Sequence, residues 1–570
     1  MKILSTILFC CLVMLIATHV QAQQYQWAKK FGGKKNDIGR TIKTDSLGNI
    51  YMMGTFSDTT DFDPGTGVLQ LIPEGISDIF ISKFDASGNF IWAKQIGGIS
   101  AETPGSMAVD DLGNVYTTGS FTLGADFDPG PNKFELYSIN GAVFTSKLDA
   151  NGNFVWAKST GGNATVFGKS ISVDKTGNVY VTGEFSSTVD FDLGSSEFTM
   201  NSIDGNVFFL KLDTAGNFTW AKQIGGTQKI TIVSMDIDGA GNIYSNGIFK
   251  GTADFSPGEG IFSMSSTTSN DPSMFILKMD NTGSLLWAKR TEGSAIYNMD
   301  VGELPLSTDN SGNVYLSGKF TGNADFDPGA GAFYLISNTQ PIFVLKLDSS
   351  GNFKWAKQMG GHNSLDIGKS LVVDASHNVY TIGTFHGNGD FDPGPGTFYL
   401  NSEVANDVFI SKLDSSGNFK SALQLGGNYA DYGFSITIDK SDNLFCTGFF
   451  RGVVDFDLGN EINYLYSAGE MDVFIMKLIQ APNDVHEAEE NASSFYVYPN
   501  PGSSAVTLHF GKQLTNGTLK LINTLGQTIL QQSEITTESS NIDVAGIAKG
   551  VYFVEVNDGG SISRMKFVKD

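Results

Sequence analysis

The chain has 570 residues, 60 of them acidic against 37 basic, for a formal charge of −23 and an isoelectric point near 4.6. That length exceeds one small core and suggests several units or one large repetitive one. The acidic balance argues against nucleic acid as a partner, because phosphate binding draws on clustered Lys and Arg, and suits divalent cations only weakly.

Residues 1–22 read as a signal peptide: a charged start at Lys2, an apolar run from Ile3 to Ile16, and a small-residue end at Val20-Gln21-Ala22. The run is too short for a transmembrane anchor, which takes ~18–20 apolar residues. Neither Cys10 nor Cys11 follows the small residue that lipid attachment requires, and no later segment is long and apolar enough to cross a bilayer. Cleavage after Ala22 leaves Cys446 as the remaining cysteine, so no internal disulfide is expected.

The mature chain then repeats itself. Trp-Ala-Lys occurs at Trp27, Trp92, Trp156, Trp220, Trp287 and Trp355, with a worn copy at Ser421, at spacings of 65, 64, 64, 67, 68 and 66 residues. Gly-x-Phe begins at Gly54, Gly119, Gly183, Gly247, Gly318, Gly383 and Gly448, and Asp-Phe begins at Asp61, Asp126, Asp190, Asp254, Asp325, Asp390 and Asp455. Phe-x-x-Lys begins at Phe80, Phe144, Phe208, Phe275, Phe343, Phe409 and Phe474, so four markers agree on seven repeats.

Within one repeat, Ile171-Ser172-Val173 and Val179-Tyr180-Val181 flank the turn Asp174–Asn178, and Val207–Leu212 and Phe218–Ile224 flank the turn Asp213–Asn217. These are four strands, a to d, in two hairpins whose turn glycine takes positive φ. The surplus over common propeller repeats lies between b and c and predicts an extra turn and a longer hairpin arm. The chain opens on a d strand, Tyr25–Phe31, and its seventh repeat stops after a c strand, Val473–Leu478. The expected fold is therefore all-β: a seven-bladed β-propeller of four-stranded blades over residues 23–480, closed by pairing of these two strands so that no sheet edge is left open. Phrases such as Ile171-Ser172-Val173-Asp174-Lys175-Thr176-Gly177-Asn178-Val179-Tyr180-Val181-Thr182-Gly183 resemble the SBBP-type bacterial β-propeller repeat. That resemblance implies a fold and an extracellular habit without a single activity, and the Asp-Phe-Asp-Pro-Gly insert departs from it.

The insert places carboxylates two residues apart beside a glycine turn, at Asp61 and Asp63, Asp126 and Asp128, Asp325 and Asp327, and Asp390 and Asp392. Two readings stand: calcium at some copies, the single cofactor considered, or a capped Asp-Pro-Gly turn bonding its own backbone. The copies Asp254-Phe255-Ser256 and Asp190-Phe191-Asp192-Leu193 fit the turn more easily. The Trp-Ala-Lys strands read as packing between neighbouring sheets rather than as sugar-stacking platforms, since every repeat carries them. His362, His377 and His386 gather in the sixth repeat, where His377 takes a turn position that favours Gly.

Residues 481–494 read as a polar linker, and from Phe495 short alternating segments predict a small antiparallel sandwich over 495–570. Its motifs are Tyr498-Pro499-Asn500-Pro501, Asn523-Thr524-Leu525-Gly526-Gln527, Gly550-Val551-Tyr552-Phe553-Val554 and Lys566-Phe567-Val568-Lys569. In order, spacing and terminal position they resemble the type A sorting domain of type IX secretion. The resemblance implies an address read by the outer-membrane translocon through residues such as Pro499, Asn500, Pro501, Gly526, Gly550, Tyr552, Lys566 and Lys569. It also implies a cargo released outside the cell or held at its surface. An exposed last strand ending in Lys566 and Lys569 suits strand addition to a partner.

No nucleophile elbow, His-Glu-x-x-His pair or phosphate-binding loop is present, and no set of unlike acids and bases stands out on a few repeats. The leading expectation is a non-catalytic secreted or surface propeller for binding, adhesion or scaffolding, with a glycan or protein ligand. The alternatives are a polysaccharide hydrolase or lyase with its site in the channel, and a multivalent lectin.

Overall fold

The structure is a computed structural model. It describes residues 23–161, 165–194, 196–258, 260–267, 272–293, 304–361, 366–458, 462–480, 495–498, 503–510, 513–514, 517–523, 527–558 and 561–569. The proposed signal peptide and linker lie outside these residues. The chain divides into two compact units between residues 481 and 482. Among the described residues all regular structure is β, and no helix is long and apolar enough to cross a membrane.

The third repeat shows how the sequence builds its unit. Strands Val166–Val173, Val179–Asp190, Thr199–Leu212 and Phe218–Gly226 pair antiparallel in that order. Asp174 closes the first turn: its Oδ1 accepts the N–H of Thr176 at 2.9 Å and of Asn178 at 3.0 Å, while Asn178 Nδ2 donates to Oδ2 at 2.8 Å. Asp213 and Asn217 repeat this in the second turn. Such Asx turns need a residue in the left-handed region, supplied by Gly177 and Gly216.

The expected arm is present. Beyond an irregularity at Phe185/Ser187, the second and third strands pair again from Ser187↔Ser202 to Asp190↔Thr199. This arm and those of neighbouring repeats reach the preceding repeat's last strand, as at Gly161↔Asp190, Gly97↔Asp126 and Gly225↔Asp254.

The four markers turn out to be parts of one packing scheme. Phe56, Phe62 and Phe80, from Gly-x-Phe, Asp-Phe and Phe-x-x-Lys, form a fully buried aromatic group with ring centroids 5.3 and 5.1 Å apart. Gly54 is glycine because a Cβ there would stand 1.9 Å from the Ile38 carbonyl and 2.7 Å from the Phe80 ring. The lysine of Phe-x-x-Lys lies over the second-strand tyrosine, as in Lys83 over Tyr51 at 4.9 Å, and its ammonium donates to Ala150 O in the next repeat at 3.0 Å. Trp92 Nε1 donates to the same carbonyl at 3.3 Å.

Core side chains gather in clusters that each span two successive repeats. Tyr51, Met53 and Ile79 pack with Met107, Phe121 and Phe144, and Tyr315 and Val344 pack with Leu371, Phe385 and Phe409. The same holds between the last repeat and the first, where Phe445, Val473 and Ile475 share a cluster with Phe31, Ile42 and Ile50. The N-terminal strand Gln23–Phe31 pairs antiparallel with Asp472–Gln480, from Tyr25↔Leu478 to Phe31↔Val473, the partner expected from the sequence. Trp27 packs under Gly88 of the first repeat, and Lys29 Nζ donates to Gly88 O.

The C-terminal unit holds two antiparallel sheets. One contains Phe495–Tyr498, Ala505–Phe510 and Ser539–Asp543; the other contains Thr528–Ile535, Gly517–Asn523, Gly550–Asp558 and Ser561–Lys569. They share one core that includes Val506, Leu508, Phe510, Leu521, Val554 and Phe567, a sandwich arrangement.

Candidate functional site

The first strands of the repeats jointly line a cavity of about 540 Å³. Its walls come from Ile38–Thr44, Thr103–Val109, Val166–Val173, Ile230–Ile237, Leu306–Thr308, Ile367–Val373 and Tyr432–Ile438. A β-bulge breaks the register of most of these strands, between Gly39/Thr41, Pro104/Ser106, Gly168/Ser170, Ile232/Ser234, Gly368/Ser370 and Gly433/Ser435. A bulge leaves one residue unpaired in the ladder and re-aims its side chain. The bulged residues are Arg40, Gly105, Lys169, Val233, Lys369 and Phe434, and all of them line the cavity.

The residue after the bulge is a hydroxyl in these strands: Thr41, Ser106, Ser170, Ser234, Ser370 and Ser435. Several of these stitch neighbouring first strands together. Ser170 Oγ donates to Met235 O at 3.4 Å, Ser370 Oγ accepts from Ile436 N at 3.2 Å, and Ser435 Oγ accepts from Ile42 N at 3.3 Å. Two residues further on, Lys43, Ala108, Ser172, Asp236 and Val372, with Ser307 at the same register, pair with the equivalent second-strand tyrosines. The frame is thus repeated, while the side chains presented to the cavity are not.

Among the described residues the lining carries four cations, Arg40, Lys43, Lys169 and Lys369, and one carboxylate, Asp236. Asp236 Oδ2 accepts from both N and Oγ1 of Thr308 at 2.8 Å. Lys43 opens onto the cavity yet is ringed by protein, which lowers its ammonium below the ordinary lysine value, with Asp236 opposing that shift. Loss of hydration likewise lowers Arg40, whose guanidinium sits 5.5 Å from the Phe434 ring centroid. Lys169 sits 5.4 Å from that of Phe167.

None of these cavity residues was singled out by the sequence. No set of unlike acids and bases stands out in the sequence; the structure brings together a set of unlike residues dominated by cations. The signal was present in the strand that repeats as Gly-x-Ser or Gly-x-Thr, whose middle residue changes: Gly39-Arg40-Thr41, Gly168-Lys169-Ser170, Gly368-Lys369-Ser370, Gly433-Phe434-Ser435.

The acidic loops sit elsewhere. Asp61 Oδ1 accepts from Asp63 N at 3.2 Å and Leu69 N at 2.8 Å, and Asp63 Oδ1 accepts from Gly65 N at 2.8 Å. Asp126 and Asp128, Asp325 and Asp327, and Asp390 and Asp392 repeat that pattern on Phe134, Phe333 and Phe398 and on Gly130, Gly329 and Gly394. Among the described residues no group of three or more His, Cys, Asp or Glu is placed to hold a metal ion. His377 has φ +62° in its turn, and its Nδ1 lies 2.9 Å from Asp309 Oδ2.

Of the sorting-motif residues, Pro499, Asn500, Pro501 and Gly526 lie outside the described residues. Gly550 opens a strand that pairs from Gly550↔Lys569 to Asp558↔Ser561, and Tyr552 Oη donates to Ala548 O at 2.8 Å. The strand carrying Lys566 and Lys569 pairs on one side only among the described residues, so it is a sheet edge. Lys569 itself is buried.

Residues 496–570 match the secretion system C-terminal sorting domain, and residues 91–128 and 155–189 match a beta-propeller repeat. An uncharacterized WD repeat-containing protein of Acanthamoeba polyphaga mimivirus is 25% identical over 509 residues, covering 75% of this chain and 36% of its own length. The chain thus spans about a third of the length of that relative. Among solved structures, a protein of unknown function from Bacteroides caccae aligns at TM-score 0.23 and 11% identity, over 49% of this chain and 89% of that one. A gluconolactonase from Xanthomonas campestris aligns at TM-score 0.28 and 10% identity, over 80% of this chain and 99% of that one. The C-terminal unit is a type IX sorting tail, which implies recognition by the type IX secretion system and indicates a secreted or cell-surface protein with β-propeller repeats.

Proposed function

We propose that the cargo is a non-catalytic binding propeller. In this reading seven four-stranded blades over residues 23–480 form a closed ring, the N-terminal strand completes the last blade, and a ligand enters the cavity between the first strands. Residues 1–22 are the export signal, 481–494 a linker, and 495–570 the address. Supporting closure are the pairing of Gln23–Phe31 with Asp472–Gln480, the shared cluster of Val473, Ile475 and Ile42, and the bond from Ile42 N to Ser435 Oγ.

The observation that carries the binding reading is the contrast inside the cavity between a repeated frame and unrepeated side chains. A residue common to every repeat serves packing; residues that differ at equivalent, solvent-facing positions serve a ligand. Among the described residues the lining is made of hydroxyls, cations and apolar groups, with Asp236 as its one carboxylate, and glycoside hydrolysis ordinarily employs a pair of carboxyl groups. The test is incubation of the purified full-length protein with a polysaccharide panel, following both retention and product release. Retention without new chain ends is expected. Release of oligosaccharide products would overturn the reading in favour of a hydrolase or lyase, and stoichiometry near one ligand per blade would favour the multivalent lectin.

A further inference from the structure

The cavity inverts the charge of the molecule that surrounds it. The chain as a whole carries −23, whereas among the described residues the lining carries four cations against one carboxylate. Arg40, Lys169 and Lys369 come from the first, third and sixth repeats and occupy the equivalent bulge position in each. Chance scatter of basic residues would not select one register position, and the bulge is the feature that turns each side chain off the ladder and into the cavity.

A cavity of about 540 Å³ falls within the ~300–1,000 Å³ typical of organic ligand sites and is generous for a single inorganic oxyanion. Cations placed on separate repeats suit a ligand with more than one anionic group. Phe167 is 46% exposed, Phe434 is half-buried, and both line the same cavity and lie beside a bulge cation. Flat apolar faces next to cations and hydroxyls are the chemistry that holds a sugar ring and its acidic substituent together. A long polyanion lying on the outer surface would meet the acidic exterior; a short chain or chain end inserted into the cavity meets the cations.

We propose that the cavity takes a short acidic oligosaccharide whose carboxylate or sulfate groups are held by Arg40, Lys169 and Lys369. The inference rests on the reading of the propeller as a non-catalytic binder. Lys43 and Arg40, stripped of part of their hydration, regain a counter-charge when the anion enters. Asp236, fixed by Thr308, stands as an acceptor for a sugar hydroxyl.

The test is calorimetric titration of the full-length protein with four probes: an oligouronate, a sulfated oligosaccharide, a neutral oligosaccharide of equal length, and inorganic sulfate. At least one acidic oligosaccharide should bind, with affinity falling as salt is raised, and the neutral one should bind at least about tenfold more weakly, as expected for loss of charge-assisted hydrogen bonds. Arg40→Gln, Lys169→Gln and Lys369→Gln should each weaken the acidic probe by about fivefold or more, with melting temperatures confirming folded protein. If a variant fails to fold, the salt dependence of the unsubstituted protein still decides. Equal binding of the neutral probe, or no salt dependence, overturns the ligand class while leaving a binding propeller. Inorganic sulfate binding as tightly as the oligosaccharides assigns the cations to a free oxyanion and overturns the saccharide. Failure of both acidic probes to bind also overturns it. Product release, by contrast, overturns the non-catalytic reading itself.

Discussion

Asp61 illustrates how a single side chain can look like a ligand and act as a fastener. Its Oδ1 accepts two backbone N–H groups across an eight-residue loop, and Asp63 caps the turn within it. A calcium ion would compete with those bonds for the same oxygens, and the ion prefers six to eight oxygen donors. We therefore expect the melting temperature of the full-length protein to be the same in millimolar calcium and in chelator. A site filled at a hundred times its dissociation constant would add ~2.7 kcal/mol of stability, so a calcium-dependent rise would return the loops to metal binding. Other residues were plainer in the sequence. The positive φ of His377 followed from the glycines it replaces, and Trp92 and Lys83 bond the neighbouring repeat, as packing residues common to all repeats should. Arg40 was not legible, because nothing in one sequence says which face of a strand a bulge will turn.

Between residue and molecule lie the junctions of neighbouring repeats, where carboxyl groups meet in buried pairs. Asp37, Glu102 and Asp431 stand just before first strands; Asp472 and Asp78 open third strands and Asp407 lies within one, each in the preceding repeat, and all are buried. Burial raises Asp37 to about 7, Glu102 to about 8 and Asp431 to about 7, with the neighbouring carboxylates adding to each. Burial also raises Asp407 to about 6. The turn aspartates shift the other way: hydrogen bonds from the turn's own residues outweigh their loss of hydration, holding Asp149, Asp174 and Asp213 below the usual carboxylate range.

The two groups act in different pH windows. A carboxyl whose folded pKa lies above its unfolded value keeps a proton that the unfolded chain has lost, so its contribution is full below about 4 and disappears as pH climbs to 7 or 8. A depressed carboxyl contributes above about 4 and loses that contribution as pH falls below it. Stability should therefore be greatest near pH 4, falling toward pH 8 with a slope of about 1.4 kcal/mol per pH unit for each proton so held, and falling again at lower pH. Scanning calorimetry at pH 5 and pH 8 checks this, and Glu102→Gln should flatten the fall. A melting temperature that rises steadily from pH 5 to pH 8 would contradict the assignment. Strand order and turns at this scale were written in the 65-residue period and the Asp-x-x-Gly-Asn spacing. The carboxyl pairs were not, because their members stand in different repeats and meet only once the sheets pack.

At the scale of the whole molecule, the proposed ring puts its most demanding contact between the two ends of the propeller chain. That pairing was legible because the repeats begin and end out of phase, a d strand first and a c strand last; the cavity between the first strands was not, since its charge arises from residues hundreds of positions apart. Closure makes a quantitative demand. Ala28 pairs with Met476 in the N-terminal strand as Ala93 pairs with Ser82 in the first repeat, each in its Trp-Ala-Lys motif. Proline at either position cannot donate to a ladder and fixes φ near −65°, which disfavours the extended strand. In a closed ring the N-terminal strand is as integral as any internal one, because releasing it bares the sheet edge of Asp472–Gln480 and opens the cluster of Val473 and Ile475 with Ile42. Ala28→Pro should then lower the global unfolding midpoint in denaturant about as far as Ala93→Pro. If Ala28→Pro leaves the midpoint unchanged while Ala93→Pro lowers it, the first strand is a fraying appendage and the ring is open.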